Sequence, residues 1–219
     1  MFTKYGYSTL IYITLLSFLI IALSLFIKQD WIKYLLIILS GGFLLFTLFF
    51  FRDPDRKTPE VDDAIISPAD GKILLIKDVV SNEFVKGNAI QISVFMSPFD
   101  VHVNRIPING KVKYLKYVHG KFLTAYNDKA DKENERNEIG IESKYGKVFF
   151  TQVSGVFARR IISTLKIDDE VIAGKRFGMI KFGSRSDIIV PKDKWTPQIK
   201  VGQHVTAGKT ILYKLKNEK

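Results

Sequence analysis

The chain offers few groups able to do covalent chemistry. It contains three histidines and no cysteine, which excludes thiol catalysis, disulfide scaffolds, cysteine zinc sites and iron–sulfur clusters. No two histidines stand at metal-ligand spacing, so no metal is expected. Two places remain. His102 lies in Ser97-Pro-Phe-Asp-Val-His-Val-Asn-Arg-Ile-Pro107, with Asp100 two residues before it; on a strand the two side chains share a face. The second place is Lys181-Phe-Gly-Ser-Arg-Ser-Asp187. Gly183 has no Cβ, so the Gly183–Ser184 peptide reaches torsions closed to other residues and Ser184 Oγ can approach the Gly183 carbonyl carbon. That is the geometry of an N-to-O acyl shift. Each signal is weak alone: a histidine beside apolar residues is most often a packed side chain, Gly-Ser and Asp70-Gly71 are ordinary turns, and His119 and His204 also sit in turn sequences.

The elements that must hold these groups fall into two unlike parts. The chain has 219 residues, 47% hydrophobic and 25% charged, with net charge +11. Residues 1–51 carry only Lys4, Lys28, Asp30 and Lys33 as charges. Leu10–Ile27 is an uncharged run of 18 residues, and Trp31–Phe51 a run of 21 broken only by Lys33. As helices they measure about 27 and 31 Å, against a hydrocarbon core of about 30 Å. Lys28-Gln29-Asp30 is too short for a folded domain, so residues 1–51 read as a two-helix membrane hairpin with both ends on one side. A crossing hairpin and a shallow, membrane-embedded one both satisfy this pattern. A cleaved signal peptide does not, for lack of a small-x-small site before the second run. Lys4 before the first run and Arg52, Arg56 and Lys57 after the second place both ends, and the domain that follows, on the cytoplasmic side of the cell membrane.

Residues 52–219 form the second domain, long enough for its own core. Glycine-containing turns separate short β-branched and aromatic runs: Ile90–Phe95, Val112–Val118, Val148–Val153, Ile188–Val190 and Ile211–Leu215. This predicts a mainly β (α+β) domain. Gly155–Lys166 reads as its helix, with Phe157, Ile161 and Leu165 at i, i+4, i+8 and the Arg159-Arg160 pair between them. Lys129–Glu138 is charged without an apolar period and reads as a surface loop. Ser67–Ile73 and Ile199–Ile211 resemble the hairpins of barrel-sandwich folds, as in biotinyl and lipoyl carriers, but no Met-Lys or Asp-Lys turn lies midway between them, so carrier function is disfavoured.

Six short motifs occur in one order: Phe50-Phe-Arg-Asp-Pro-Asp-Arg56, Ser67-Pro-Ala-Asp-Gly71, Phe95-Met-Ser-Pro-Phe-Asp-Val-His-Val-Asn-Arg-Ile-Pro107, Asn134-Glu-Arg-Asn137, Gln152-Val-Ser-Gly-Val-Phe-Ala-Arg-Arg-Ile161 and Phe182-Gly-Ser-Arg185. Any one is common; the six in order, after a membrane hairpin, closely resemble the short membrane-bound phosphatidylserine decarboxylases. The better-known longer members have Leu-Gly-Ser-Thr where this chain has Phe-Gly-Ser-Arg, a mark of the short branch.

The resemblance implies a self-processing enzyme that converts phosphatidylserine to phosphatidylethanolamine and CO2. Ser184 would cleave the chain after Gly183 into a β chain, 1–183, and an α chain, 184–219, and become a covalent pyruvoyl group that forms a Schiff base with the substrate amine, replacing pyridoxal phosphate as electron sink. His102 would be the base and Asp70 its orienting carboxylate, in the logic of a carboxylate, a base and a serine. Arg159 and Arg160 are candidates for phosphate contact, with a solvated surface role as the competing reading. The implied partners are an anionic phospholipid in the membrane and the two chains of one precursor, with room for a homodimer. The basic balance alone would admit nucleic-acid binding, but no aromatic–basic interleaving supports it. The non-enzymatic alternative is a membrane-anchored barrel-sandwich adaptor, which predicts an intact chain on a denaturing gel.

Overall fold

The computed structural model describes residues 1–124, 126, 130–156, 160–181 and 184–216. Two compact units emerge, Met1–Asp55 and Arg56–Lys219.

The first unit is a helical hairpin, α1 (Tyr7–Ser24) and α2 (Asp30–Phe50). Both helices are long and apolar enough to cross a membrane, and side chains such as Leu15, Phe18, Leu19, Leu35, Ile38 and Leu45 are exposed, as lipid contact allows but water does not. Polar side chains turn inward: Ser17, Ser24, Ser40 and Thr47 are buried, and Ser40 Oγ donates to the Ser17 carbonyl of the other helix at 3.2 Å. The free ends are tied together. Thr3 N–H donates to the Phe51 carbonyl and Asp53 N–H to the Met1 carbonyl, so both ends of the hairpin emerge on the same side.

The second unit is β-rich. Its strands are β1 (Ala64–Ile66), β2 (Gly71–Ser81), β3 (Gly87–Met96), β4 (Val103–Arg105), β5 (Gly110–Val118), β6 (Arg136–Ser143) and β7 (Gly146–Ser154). There follow β8 (Arg160–Ser163), β9 (Glu170–Val171), β10 (Arg176–Lys181), β11 (Ser184–Pro191), β12 (Trp195–Pro197), β13 (His204–Val205) and β14 (Ile211–Leu215). The one helix among its described residues is α3 (Ala130–Glu133). Three sheets form: a curled eight-stranded one in the order β13-β2-β3-β11-β7-β6-β5-β9, and two of three strands, β1-β14-β12 and β4-β10-β8. The two segments that resemble carrier hairpins meet directly, His204 opposite Lys72 and Val205 opposite Gly71.

Period-2 alternation decides what each face of the large sheet carries. Ile92, Val94, Met96, Ile139, Ile141, Val148, Phe150, Ile188 and Val190 point into one apolar core. Tyr213 of β14 closes it, its hydroxyl donating to the Ile90 and Ile188 carbonyls; complete burial raises its pKa well above the usual phenol range.

Two local expectations are corrected. Residues 160–163 are not helix but strand β8, paired with β10; residues 157–159 lie outside the described residues. The apolar spacing at Ile161 fits a strand equally well, and pairing decides. The charged stretch is not a loop throughout: residues 130–133 form α3 and β6 begins at Arg136, with Asn137, Ile139 and Ile141 buried on one side.

Gly71 shows how tightly this frame is drawn. It has φ +148°, and a Cβ there would lie 1.9 Å from the Phe95 carbonyl oxygen. Gly146 also has a positive φ, +110°, but a Cβ would meet only Lys194, Nζ at 3.5 Å. Gly71→Ala is therefore expected to cost more than about 4 kcal/mol and Gly146→Ala about 1 kcal/mol, measured by denaturant unfolding of the detergent-solubilised chain. Equal losses would show that the Phe95 contact does not constrain the fold.

Candidate active site

The strand order brings the sequence motifs to one end of the large sheet. β2 starts where β3 ends, since Lys72 lies opposite Phe95. β11 starts there too, Ser184 facing Met96 on one side and Ser154 on the other. β7 ends and β6 begins at the same level, Val153 opposite Arg136. Antiparallel pairing alone thus gathers Asp70-Gly71, Met96, Ser184, Ser154 and Asn137, residues separated by up to 114 positions in sequence.

Ser184 is fully buried and, by alternation with Ile188 and Val190, faces the core side. Its hydroxyl donates to Met96 Sδ at 3.2 Å. A thioether is a weak acceptor, so the proton is held in place without being held strongly. His102 is also fully buried. It reaches this region because β4 pairs with β10, which leads toward Ser184: Met179 faces Val103, and Ile180 N–H donates to the His102 carbonyl at 3.3 Å. His102 Nδ1 lies 2.9 Å from the Asp100 carbonyl oxygen. A carbonyl only accepts, so Nδ1 carries the proton and Nε2 is left as the basic nitrogen.

Asp100 does not use its carboxylate on His102. That group closes the Ser97–Asp100 turn, accepting from Ser97 N–H at 2.8 Å and Ser97 Oγ at 2.7 Å. The turn fixes the backbone whose carbonyl orients the imidazole. Asp70 is held by other groups. Arg56 grips its carboxylate through two nitrogens, at 2.5 and 2.7 Å, and Ala207 N–H donates to it at 2.7 Å. Arg56 also donates to the Ala207 carbonyl at 2.8 Å. One largely buried ion pair thus ties the Ser67–Gly71 turn to the Thr206–Gly208 turn.

A chain of buried amides joins three motifs. Asn137 Nδ2 donates to Gln152 Oε1 at 3.0 Å, and Gln152 Nε2 donates to Asn104 Oδ1 at 2.9 Å and the Ile162 carbonyl at 3.2 Å. Asn104 Nδ2 in turn reaches the Pro68 carbonyl at 3.4 Å. Asn134, fully buried, donates to the carbonyls of Ser154 and Leu123, both at 2.8 Å, and so steadies the residue opposite Ser184.

Arg185 points to the reverse face of the sheet. It is wholly buried; Nε meets Asp187 Oδ1 at 2.6 Å and Nη2 donates to Ser93 Oγ at 2.9 Å. Of the remaining predicted site residues, Arg160 is exposed on β8, while Gly183 and Arg159 lie outside the described residues. Sequence reasoning does not single out Met96, Arg56, Asn104 or Lys181. All four lie in or beside the six motifs, so a signal exists, but only strand register shows what each one touches.

A family model described as phosphatidylserine decarboxylase matches residues 43–213. A phosphatidylserine decarboxylase proenzyme of Chlorobium limicola (strain DSM 245 / NBRC 103803 / 6330) is 47% identical over 213 residues, 97% of this chain and 99% of the relative. Proenzymes of the same description from Chlorobium phaeovibrioides (strain DSM 265 / 1930) and Prosthecochloris aestuarii (strain DSM 271 / SK 413) are 45% and 46% identical over 217 residues, covering 98% and 99% of this chain and 97% and 99% of the relatives.

The amide chain makes a testable demand. Gln152→Leu strips partners from Asn104, Asn137 and the Ile162 carbonyl at once, and each buried polar group left unpaired costs about 1–3 kcal/mol. The variant is expected to unfold at clearly lower denaturant and to restore little when Asn137→Leu is added, because Asn104 stays deprived of its donor. A variant as stable as the parent would show that the network does not support the fold.

Proposed function

The chain belongs to the phosphatidylserine decarboxylase family, and from that premise we propose how its own residues perform the reaction. It decarboxylates phosphatidylserine to phosphatidylethanolamine. The observation that carries the residue-level reading is the meeting of the motifs at the sheet end that holds Ser184, with His102 immediately before the strand paired to the segment leading into it.

In the proposed processing, His102 Nε2 takes the proton from Ser184 Oγ, which attacks the Gly183 carbonyl carbon. The amide nitrogen of residue 184 leaves that carbon with a proton, and an ester replaces the peptide. Loss of the Cα proton of residue 184 then expels the Gly183 carboxylate and leaves dehydroalanine; one water hydrolyses it, releasing ammonia and leaving a pyruvoyl group on the α chain, 184–219. The residues present suit such a group: position 184 is sealed from solvent, opposed by the small Ser154 and the soft Met96, and next to no charged side chain on its own face of β11. When in place, the group supplies a ketone that condenses with the substrate amine and accepts the electron pair released with CO2.

The remaining work belongs to side chains of this chain. His102, held by the Asp100 carbonyl, returns a proton to the substrate Cα. Asp70, gripped by Arg56 and Ala207 N–H, fixes the turn at the head of β2 and so positions the strand beside the site. Arg160 is assigned to the phosphate side of the substrate. The exposed apolar surface of α1 and α2 anchors the enzyme in the membrane where its lipid substrate resides, and Lys4, Arg52, Arg56 and Lys57 assign the catalytic unit to the cytoplasmic face. The non-enzymatic adaptor reading is set aside by the family membership.

Ser184→Ala and His102→Ala are expected to accumulate intact chain on a denaturing gel with activity reduced by at least about 10³-fold. His119→Ala and His204→Ala should cleave and turn over like the parent. Borohydride in the presence of substrate should inactivate the parent, and added pyridoxal phosphate should leave it unchanged. Cleavage at this bond in Ser184→Ala would refute the serine assignment; normal processing in His102→Ala would move the base elsewhere.

A further inference from the structure

Arg160, assigned to the phosphate side of the substrate, does not stand alone on its edge of the sheet. In the antiparallel pair β8–β10, Lys181 lies directly opposite Arg160, followed by Ile180 opposite Ile161 and Met179 opposite Ile162. Directly opposed residues share a face of the sheet and approach closely, and like charges in that register are unfavourable. Here one of the two cations is also sequestered: Lys181 is only 8% exposed, whereas Arg160 is exposed. Burial, and then the charge of Arg160, push the Lys181 amine below its usual range. Two cations on one face of a two-stranded ladder, one of them nearly buried, make a place whose charge suits an anionic ligand.

Its position points to which anion. Lys181 ends β10, three residues before Ser184, and the other edge of β10 pairs with β4, beginning immediately after His102. We propose that Lys181, with Arg160 opposite, forms the subsite that binds the phosphodiester of the lipid substrate. This rests on the decarboxylase reading and names a binding residue within it. Two anionic groups of the substrate compete for the role, its carboxylate and its phosphodiester. Decarboxylation moves negative charge off the carboxylate, so a cation fixed on that group would stabilise the ground state more than the transition state and slow the reaction. The phosphodiester keeps its charge throughout. A cation pair on it binds ground state and transition state equally, which lowers KM and leaves kcat alone. The side chains suit a division of labour, a compact ammonium in a confined place and a planar guanidinium fork at the exposed edge.

The test uses the full-length, detergent-solubilised protein. Lys181→Met, Lys181→Arg, Arg160→Gln and, as a control, Lys86→Gln on an exposed turn are first checked for chain cleavage, then assayed on short-chain phosphatidylserine. Binding of short-chain phosphatidylglycerol, which has a phosphodiester but neither amine nor carboxylate, is measured in parallel by calorimetry. Lys181→Met is expected to raise KM about tenfold or more with kcat within about twofold, and to weaken phosphatidylglycerol binding by a similar factor. Lys181→Arg should recover most of both losses, Arg160→Gln should show a smaller loss of the same kind, and Lys86→Gln none. A fall in kcat with KM and phosphatidylglycerol binding unchanged would overturn the assignment, as would a raised KM with phosphatidylglycerol binding unchanged, which would point to the carboxylate. If Lys181→Met stays uncleaved, Arg160→Gln decides: unaltered phosphatidylglycerol binding and KM would overturn the pair. Absence of cleavage and turnover in the parent would instead overturn the decarboxylase reading on which the subsite rests.

Discussion

The structure depends on β11 being paired on both sides. Ser184 opens a strand that hydrogen-bonds to β3 along its whole length and to β7 at four positions. A chain proposed to cut itself immediately before that residue needs the new terminus to stay where the bond was. A terminal residue on an edge strand frays; one in the middle of an eight-stranded sheet does not. The pairing is reinforced from the reverse face, where the Arg185 guanidinium is locked by Asp187 and Ser93, so residue 185 cannot drift without exposing a buried ion pair. From the other end of the α segment, Tyr213 bonds two carbonyls and Ala207 is clamped by Arg56 and Asp70.

That constraint explains why the polar groups of the site are so widely drawn in sequence. In an antiparallel sheet, strand ends at one level come from alternate starts and stops. A site built there recruits the beginning of β2, the end of β3, the beginning of β11, the end of β7 and the beginning of β6. Motifs that look unrelated along the chain are successive rungs of one ladder. The buried amides of Asn104, Asn137 and Gln152 then hold the rungs to β4, which His102 immediately precedes.

Much of this is legible in the amino-acid sequence. The short β-branched and aromatic runs mark β3, β5, β7, β11 and β14 because such side chains suit a pleated, packed surface; β7 and β11 are buried on both faces, whereas β5 leaves one side open. The two apolar runs mark the hairpin because an unpaired backbone is too costly in lipid. Residues 160–163 read as helix because Ile161 and Leu165 suit a helical period, while the partner that makes them a strand, β10, lies elsewhere in the sequence. Charges at Arg136 and Glu138 hide the start of β6: they pair with each other on the reverse face at 2.8 Å and so do not mark solvent. Nor is the orientation of His102 legible. Spacing alone puts Asp100 on its face, yet a turn closed by Ser97 presents the Asp100 carbonyl to the imidazole instead. Family resemblance pairs Asp70 with His102, while its carboxylate sits on Arg56, a contact that no local pattern announces.

On this reading residue 184 begins life as a serine inside a continuous strand and ends as a ketone at a chain terminus without leaving its place in the sheet. Intact-mass and fragment-ion spectrometry of the purified mature protein decides whether it does. Two species are expected: residues 1–183 ending in a free carboxylate, and residues 184–219 with a pyruvoyl group at position 184, blocked to N-terminal sequencing until reductive amination converts it to alanine. A single uncut chain, or a fragment 184–219 beginning with a free serine amine, would contradict it.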